Sequence, residues 1–372
     1  MAGKRSNGQG ALYKQADGRW VGAVVLADGK RRRFYGKRKT DVEDRLNRAL
    51  ERQRGGLPVV SASGTVATFL EEWLTAIKPS VRANTFERYE QYVRLHAIPV
   101  VGKLALANRQ PQHIQQLYSR RLEAGASPTT VAHLHAVLHR AFGQAAKWSL
   151  IPRNVAAVVD RPRIARREMA TLNGAQVRQL LKIAKGDDLE ALYTLAVTTG
   201  MRQGELLALR WRDVDLDDAR LHVVATRQRT REGSRLTEPK TSHSRRRIAL
   251  APKVVAALRS HRTRQTTNRL AAKQWEDNDL VFANEVGRPI LPGNLLRRSF
   301  WPLLERAGLP RIRFHDLRHT AATLLLAAGT HPKVAQEMLG HSTVGMTLDL
   351  YSHAAPDMQE TAVRAMEAVL AG

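Results

Sequence analysis

Thr198-Thr-Gly-Met-Arg-Gln-Gly-Glu-Leu-Leu207 sets Arg202 at the start of a predicted helix, with Glu205 one turn on. A second stretch, His315-Asp-Leu-Arg-His-Thr320, puts His315 and Arg318 three apart, on one helix face. A third combines Leu339-Gly-His341 with Leu350-Tyr-Ser-His353, so that Tyr351 follows His341 by ten residues. Between the first and second lies Glu238-Pro-Lys-Thr-Ser242. It places Lys240 in the turn of a predicted strand pair, 220–226 with 245–250. The last region therefore reads as helices alternating with one short strand pair.

Two arginines, two histidines and a lysine are cations or hydrogen-bond donors. They suit a phosphate whose charge spreads over more oxygens as it becomes pentavalent. Arginine offers a planar fork for two phosphate oxygens. A tyrosine hydroxyl is a usable nucleophile once a neighbour takes its proton. Lysine in a cationic pocket has a lowered pKa and can act as an acid toward a leaving 5′-oxygen. Each residue also has a plain structural reading. Arg202 can be a surface arginine at a helix start, His315 a packed histidine, Tyr351 a half-buried core tyrosine. Lys240 stands among Arg245, Arg246 and Arg247. The ordered set Arg, Lys, His-x-x-Arg, His, Tyr is what argues against chance. No clustered carboxylates invite magnesium, which disfavours a two-metal nuclease. No GxxxxGK[ST] stretch occurs, so ATP is not expected as the energy source. No metal or other cofactor is expected.

The chain has 372 residues and a formal net charge of +26. That length suggests two or three domains. Basic side chains outnumber acidic ones 15 to 6 in residues 1–60, 14 to 6 in 61–166 and 31 to 22 in 167–372. Positive charge on every segment points to a long contact with a polyanion, most simply nucleic acid, against the bland alternative of a solvated basic surface. The absence of cysteine excludes disulfides, thiolate–zinc sites and cysteine nucleophiles. No segment approaches the ~20 apolar residues of a membrane span. The N-terminus lacks the apolar stretch of a signal peptide. A soluble intracellular protein is expected.

Working back toward the N-terminus, 151–170 reads as a linker rich in Pro, Arg and Val, and Asn173 with Gln176 as a capping box. Four helices are predicted before it. In the first, Val66, Phe69, Leu70, Trp73, Leu74 and Ile77 step by 3,1,3,1,3 along one face, and Lys78-Pro79 ends it. The others run over about 83–96, 112–123 and from Ser127-Pro128 to about Trp148. His135 and His139 lie four apart on the last of these, beside His133. That spacing can bind metal, yet no third ligand is near, so helix packing or phosphate contact is the preferred reading. Residues 55–64 form another linker. Before it, strands 11–14, 20–26 and 31–35 are separated by Asp17-Gly18 and Asp28-Gly29 turns, and Thr40 with Glu43 would cap a helix over 41–54. A sheet carrying Arg31, Arg32, Arg33, Lys37, Arg38 and Lys39 fits a DNA groove or touches only phosphates. The expected architecture is thus α+β and multidomain. A small three-stranded sheet plus helix spans 1–56, an all-helical domain 64–150, and a mainly helical catalytic domain with a small β-sheet 168–372.

At this point the chain resembles the phage-integrase-type tyrosine recombinases. TGMRQGELLALRW, HDLRHTAATLLLAAG and LGHSTVGMTLDLYSH look like that family's three signature boxes. The resemblance covers about residues 64–366, and the first segment looks like an arm-site-binding domain. It implies a C-shaped clamp around double-stranded DNA, with the helical domain core-binding. Arg202 and Arg318 would bind the scissile phosphate. His315 would aid phosphate binding and proton transfer. His341 would donate a hydrogen bond where some relatives have tryptophan. Lys240 would be the general acid, Tyr351 the nucleophile, and Glu205 the accessory group orienting the arginine. The His341–Tyr351 spacing is ten where some members have nine.

The function so implied is site-specific recombination through a 3′-phosphotyrosine, to integrate and excise a mobile element. Implied partners are core and arm attachment sites, three further copies in a homotetramer, a directionality factor and a host DNA-bending protein. The implied location is the host cytoplasm, at the nucleoid. At the C-terminus, Asp357 and Glu360 form a capping-box pattern, and Met358, Ala362, Met366, Val369 and Leu370 an apolar stripe. Such a tail would dock on a neighbouring protomer or pack back on its own domain. The rivals are a chromosome-dimer resolvase, a type IB topoisomerase, and a non-catalytic DNA-binding protein on the same scaffold.

Overall fold

A computed structural model describes residues 10–25, 31–54, 64–108, 110–164, 169–230, 233–237 and 245–351, together with 363, 366, 367 and 370. The chain divides into two compact units, Met1–Arg166 and Arg167–Gly372.

The first unit opens with an antiparallel sheet of β1 (Ala11–Lys14), β2 (Trp20–Val25) and β3 (Arg31–Gly36) in the order β1-β2-β3. Gly18, at φ +81, makes the first turn, and Asp17 accepts the Arg19 N–H there. The register Leu12↔Gly22↔Phe34 puts these three on the face that receives α1 (Lys39–Arg54). Val24, Leu46, Ala49 and Leu50 form the small core, with Leu12 and Phe34 packed against it. Gly22 lets the helix approach, since a Cβ there would stand 3.0 Å from Val42 Cγ1. The helix begins at Lys39 rather than after Thr40, so Thr40 falls inside the first turn and not at the expected cap.

A second, separate core follows in the same unit. Thr65 caps α2 (Val66–Ile77) by accepting the Thr68 N–H at 3.2 Å. All six residues of the 3,1,3,1,3 pattern are buried, each contributing about 1.5–3 kcal/mol. Next, α3 (Ala83–Gln91), a π-helical stretch (Tyr92–Ala97) and α4 (Ile98–Val101) form one helical run. It continues past the expected end at His96, and Pro99 is accommodated where the π-helical stretch passes into α4. Then come α5 (Pro111–Glu123) and α6 (Pro128–Lys147), the latter capped by Ser127 as expected. Phe69 stacks on Phe142 and Trp73 on Tyr89. His133 and His135 pair with the Tyr92 and Tyr118 hydroxyls at 3.3 and 3.1 Å, so both act in helix packing. No group of three potential metal-ligating side chains occurs among the described residues.

The second unit begins with α7 (Gly174–Ile183), whose Asn173–Gln176 capping box forms as the sequence predicts. The next helix, α8 (Glu190–Thr199), is buried almost all round and forms the centre of the unit. It ends at Gly200, in the left-handed region at φ +62. The one-turn α9 (Gln203–Leu206) leads to an antiparallel sheet of β4 (Val214–Asp215), β5 (Arg220–Val223) and β8 (Arg246–Ala249), ordered β4-β5-β8.

Between β5 and β8 stands a hairpin of β6 (Thr226–Thr230) and β7 (Gly233–Thr237), which the sequence reading lacked. Its strands, Thr-Arg-Gln-Arg-Thr and Gly-Ser-Arg-Leu-Thr, show no apolar alternation to reveal them. The expected single strand pair is therefore a three-stranded sheet plus a separate hairpin. Then follow α10 (Pro252–Ala271), α11 (Pro292–Asn294), a π-helical stretch (Leu295–Phe300) and α12 (Trp301–Arg306). The last three helices are α13 (Asp316–Ala327), α14 (Pro332–Leu339) and α15 (Val344–Tyr351). No helix among the described residues is long and apolar enough to cross a membrane. In the tail, Met366 and Leu370 are exposed. Asp357, Met358, Glu360, Ala362 and Val369 lie outside the described residues.

Candidate active site

The C-terminal end of α14 leaves carbonyl oxygens that the helix itself cannot satisfy. Arginines meet three in succession. Arg246 Nε donates to Met338 O at 2.7 Å, Arg318 Nη1 to Leu339 O at 2.6 Å and Arg202 Nη2 to Gly340 O at 2.9 Å. The negative end of the helix dipole favours the same cations. Gly340, at φ +69, turns the chain there, and a Cβ on it would lie 3.0 Å from Arg246 Nη1.

Glu205 braces two of these arginines. Its Oε1 accepts Arg202 Nη1 at 2.8 Å, and its Oε2 accepts Arg246 Nη2 at 2.9 Å and the Arg202 backbone N–H at 3.0 Å. Burial resists its ionisation, but the Arg246 and Arg202 charges together outweigh that and hold the carboxyl below its ordinary pKa. The local balance is three guanidinium charges against one carboxylate.

Arg318 is 2% exposed and its Nη1 also donates to Gly200 O at 2.9 Å. Burial first, then the Arg202 charge, pushes it down to about 9, still protonated at neutral pH. Its Nη2 is buried without a hydrogen-bond partner among the described residues. Gly200 permits this close packing. A Cβ there would stand 2.3 Å from Leu339 Cδ2 and 3.7 Å from Arg318 Cγ.

The histidines complete the pocket. His315 is the residue before α13, and its ring meets His319 edge-on at 4.9 Å. Desolvation, then the His319, Arg318 and Arg202 charges, push its pKa down to about 4, although an exposed edge lets solvent screen those charges. His341 is 4% exposed; desolvation, then the Arg318 and Arg202 charges, push it down to about 3. Both rings are neutral at neutral pH. Gln336 fixes the His341 backbone, with Nε2 donating to His341 O at 3.1 Å, and His341 Nδ1 meets Thr347 Oγ at 2.8 Å.

The structure thus gathers Arg202, Glu205, His315, Arg318 and His341. Tyr351 ends α15, with its side chain outside the described residues, and Lys240 lies wholly outside them. Of the predicted N-terminal contacts, Arg31, Arg33, Lys37, Arg38 and Lys39 are exposed, and the Arg32 side chain is not among those described. Arg31 and Arg33 share the sheet face away from α1 with Tyr13 and Tyr35.

Arg246 and Thr347 were not singled out from the sequence. The signal for Arg246 was its place two residues before Ile248, since Leu221↔Ile248 and Val223↔Arg246 put both on one strand face.

A cluster of arginines and histidines at a helix end agrees with what the chain resembles in sequence and structure. Residues 170–358 match the sequence model of the phage integrase family, and 65–121 that of the phage integrase N-terminal SAM-like domain. A "tyrosine recombinase XerC-like" protein of Caldanaerobacter subterraneus is 30% identical, the alignment covering 90% of this chain and 91% of the relative. An integrase of Saccharopolyspora erythraea is 28% identical, with 92% of each chain covered. A structure of the Tn1549 transposon integrase in complex with transposon right end DNA superposes with a TM-score of 0.68 at 26% identity, over 83% of this chain and 100% of that one. The chain belongs to the phage integrase family and is a tyrosine recombinase, an enzyme of site-specific DNA cleavage and rejoining.

Proposed function

We propose that this recombinase integrates and excises a mobile element, with Tyr351 as nucleophile and the α14 pocket as the seat of the scissile phosphate. The supporting observation is the buried, unpartnered Nη2 of Arg318 among three guanidinium groups. Such a donor in a pocket of net positive charge calls for an anion. Arg202 and Arg318 hold the phosphate oxygens, and Glu205 orients Arg202. The Tyr351 oxygen bonds to phosphorus as the bond to the 5′-oxygen breaks. His315, neutral at working pH, takes the tyrosine proton, and Lys240 protonates the 5′-oxygen. The product is a 3′-phosphotyrosine and a free 5′-hydroxyl. Rejoining reverses each transfer, so the phosphodiester energy is kept.

Two duplexes exchanged at both strands need four cuts. One nucleophile per chain then implies four protomers, working in pairs through a Holliday junction. Residues 1–56 would read arm sites, 64–150 the core site, and 168–372 would cut. The open sheet face of Tyr13, Arg31, Arg33 and Tyr35 suits phosphate and groove contact. Double-stranded attachment sites are the substrate, and the nucleoid of the host cell is where they are met. A directionality factor and a host bending protein belong to the same reading.

A plasmid carrying two attachment sites tests it. Recombinant circles with full-length protein, lost on deleting residues 1–60, support an integrase. Undiminished recombination after that deletion favours a dimer resolvase, and relaxation without pairing of sites a topoisomerase.

A further inference from the structure

Several helical threonines in this unit place their hydroxyl proton on a carbonyl one turn back. Thr194, Thr198, Thr199 and Thr320 do so at 2.9, 2.7, 2.6 and 2.9 Å. Thr347, fully buried on α15, departs from this: its hydroxyl meets His341 Nδ1 at 2.8 Å instead, and it makes no other side-chain hydrogen bond among the described residues. A buried hydroxyl proton needs an acceptor. Were Nδ1 protonated, it would donate to Thr347 Oγ and the threonine proton would be left with none. With the threonine donating to Nδ1, both groups are satisfied and the imidazole proton sits on Nε2.

We propose that Thr347 is a positioning residue that fixes His341 as its Nε2–H tautomer, so that the outer nitrogen donates to an anion held by Arg202 and Arg318. The inference rests on the reading of this pocket as the scissile-phosphate site. A lone pair at Nε2 would face that anion and repel it, whereas an N–H complements it. The ring stays neutral near the Arg318 and Arg202 charges, so the tautomer alone decides which nitrogen donates. Thr347 also precedes Tyr351 by four residues on α15. One hydrogen bond therefore ties the helix of the nucleophile to the pocket.

The test pairs spectroscopy with cleavage, on the full chain. In protein labelled with ¹⁵N-histidine, the resonances absent from His341→Gln report that ring. At pH 7 they should show a protonated Nε2 and an accepting Nδ1. A protonated Nδ1 would overturn the proposal without any variant of Thr347. In single-turnover cleavage of a nicked core-site DNA, Thr347→Val should be slower by about tenfold or more at unchanged DNA affinity, the scale of weakening one transition-state donor. Thr347→Ser should restore cleavage to within a few-fold. Wild-type cleavage by Thr347→Val, with Tyr351→Phe inactive, defeats this inference alone. An adduct from Tyr351→Phe defeats the underlying reading.

Discussion

Arg246 and Glu205 meet at 2.9 Å with side chains only 6% and 2% exposed, and neither has water to fall back on. The same guanidinium grips Met338 O, so one side chain joins the turn bearing Arg202 to the helix end bearing His341. Replacing Arg246 by Met leaves Glu205 buried with Arg202 as its remaining ion-pair partner. Breaking a buried pair on one side costs about 3 kcal/mol. Urea unfolding should show a loss near that size, and covalent cleavage should fall at unchanged DNA binding. A stability change below ~0.5 kcal/mol, typical of surface sites, would contradict the bracing role.

Gly200 is held at a positive φ against Leu339, with its carbonyl on Arg318. Gly200→Ala adds strain and a clash together. Such overpacking costs about 1–3 kcal/mol, and Arg318 must shift with the carbonyl it grips. Thermal unfolding should fall by several degrees and cleavage should drop more than DNA affinity. Unchanged cleavage would separate the turn from the function of Arg318.

His341 carries a pH signature. Its folded pKa is about 3, below the ordinary value near 6.5. The unfolded chain therefore binds the proton first, and the stability from burying the neutral ring is complete above pH 6.5 and lost as pH falls toward 3. Between pH 7 and pH 5 the loss is about 2 kcal/mol. His341→Gln should remove that part of the slope in urea titrations. An identical slope in the variant would show that the ring takes up its proton in the fold as readily as in the unfolded chain.

Arg31 and Arg33 lie on the sheet face turned from α1. Their double replacement by Ala should lower the slope of log affinity against log salt by about 2, on the account of one released counterion per phosphate contact. Measured binding to element-end DNA at several salt concentrations gives that slope. No change would place the DNA elsewhere.

Much of this was legible in the residues because a local signal carried it. The 3,1,3,1,3 pattern from Val66 to Ile77 is all buried, and Asn173 with Gln176 forms its capping box. Arg202, Glu205, His315, Arg318 and His341 converge as their spacing and motif suggested. What was not legible is long-range or backbone-made. The β6–β7 hairpin has no apolar alternation, and its pairing rests on main-chain bonds. Arg246 stood in a run of three arginines, and its alternation with Ile248 gained meaning once β8 paired with β5. Thr347 looked like any helical threonine until folding brought His341 beside it.

Denaturing capture of covalent DNA adducts decides whether Tyr351 is the nucleophile. Wild-type protein is incubated with fragmented host and element DNA, denatured, and whatever remains bonded is sequenced beside Tyr351→Phe. Wild-type adducts should concentrate on a short inverted repeat through a 3′-phosphate, and the variant, which still binds DNA, should give none. Adducts from Tyr351→Phe, or none from a wild-type protein that binds the same DNA tightly, would contradict it.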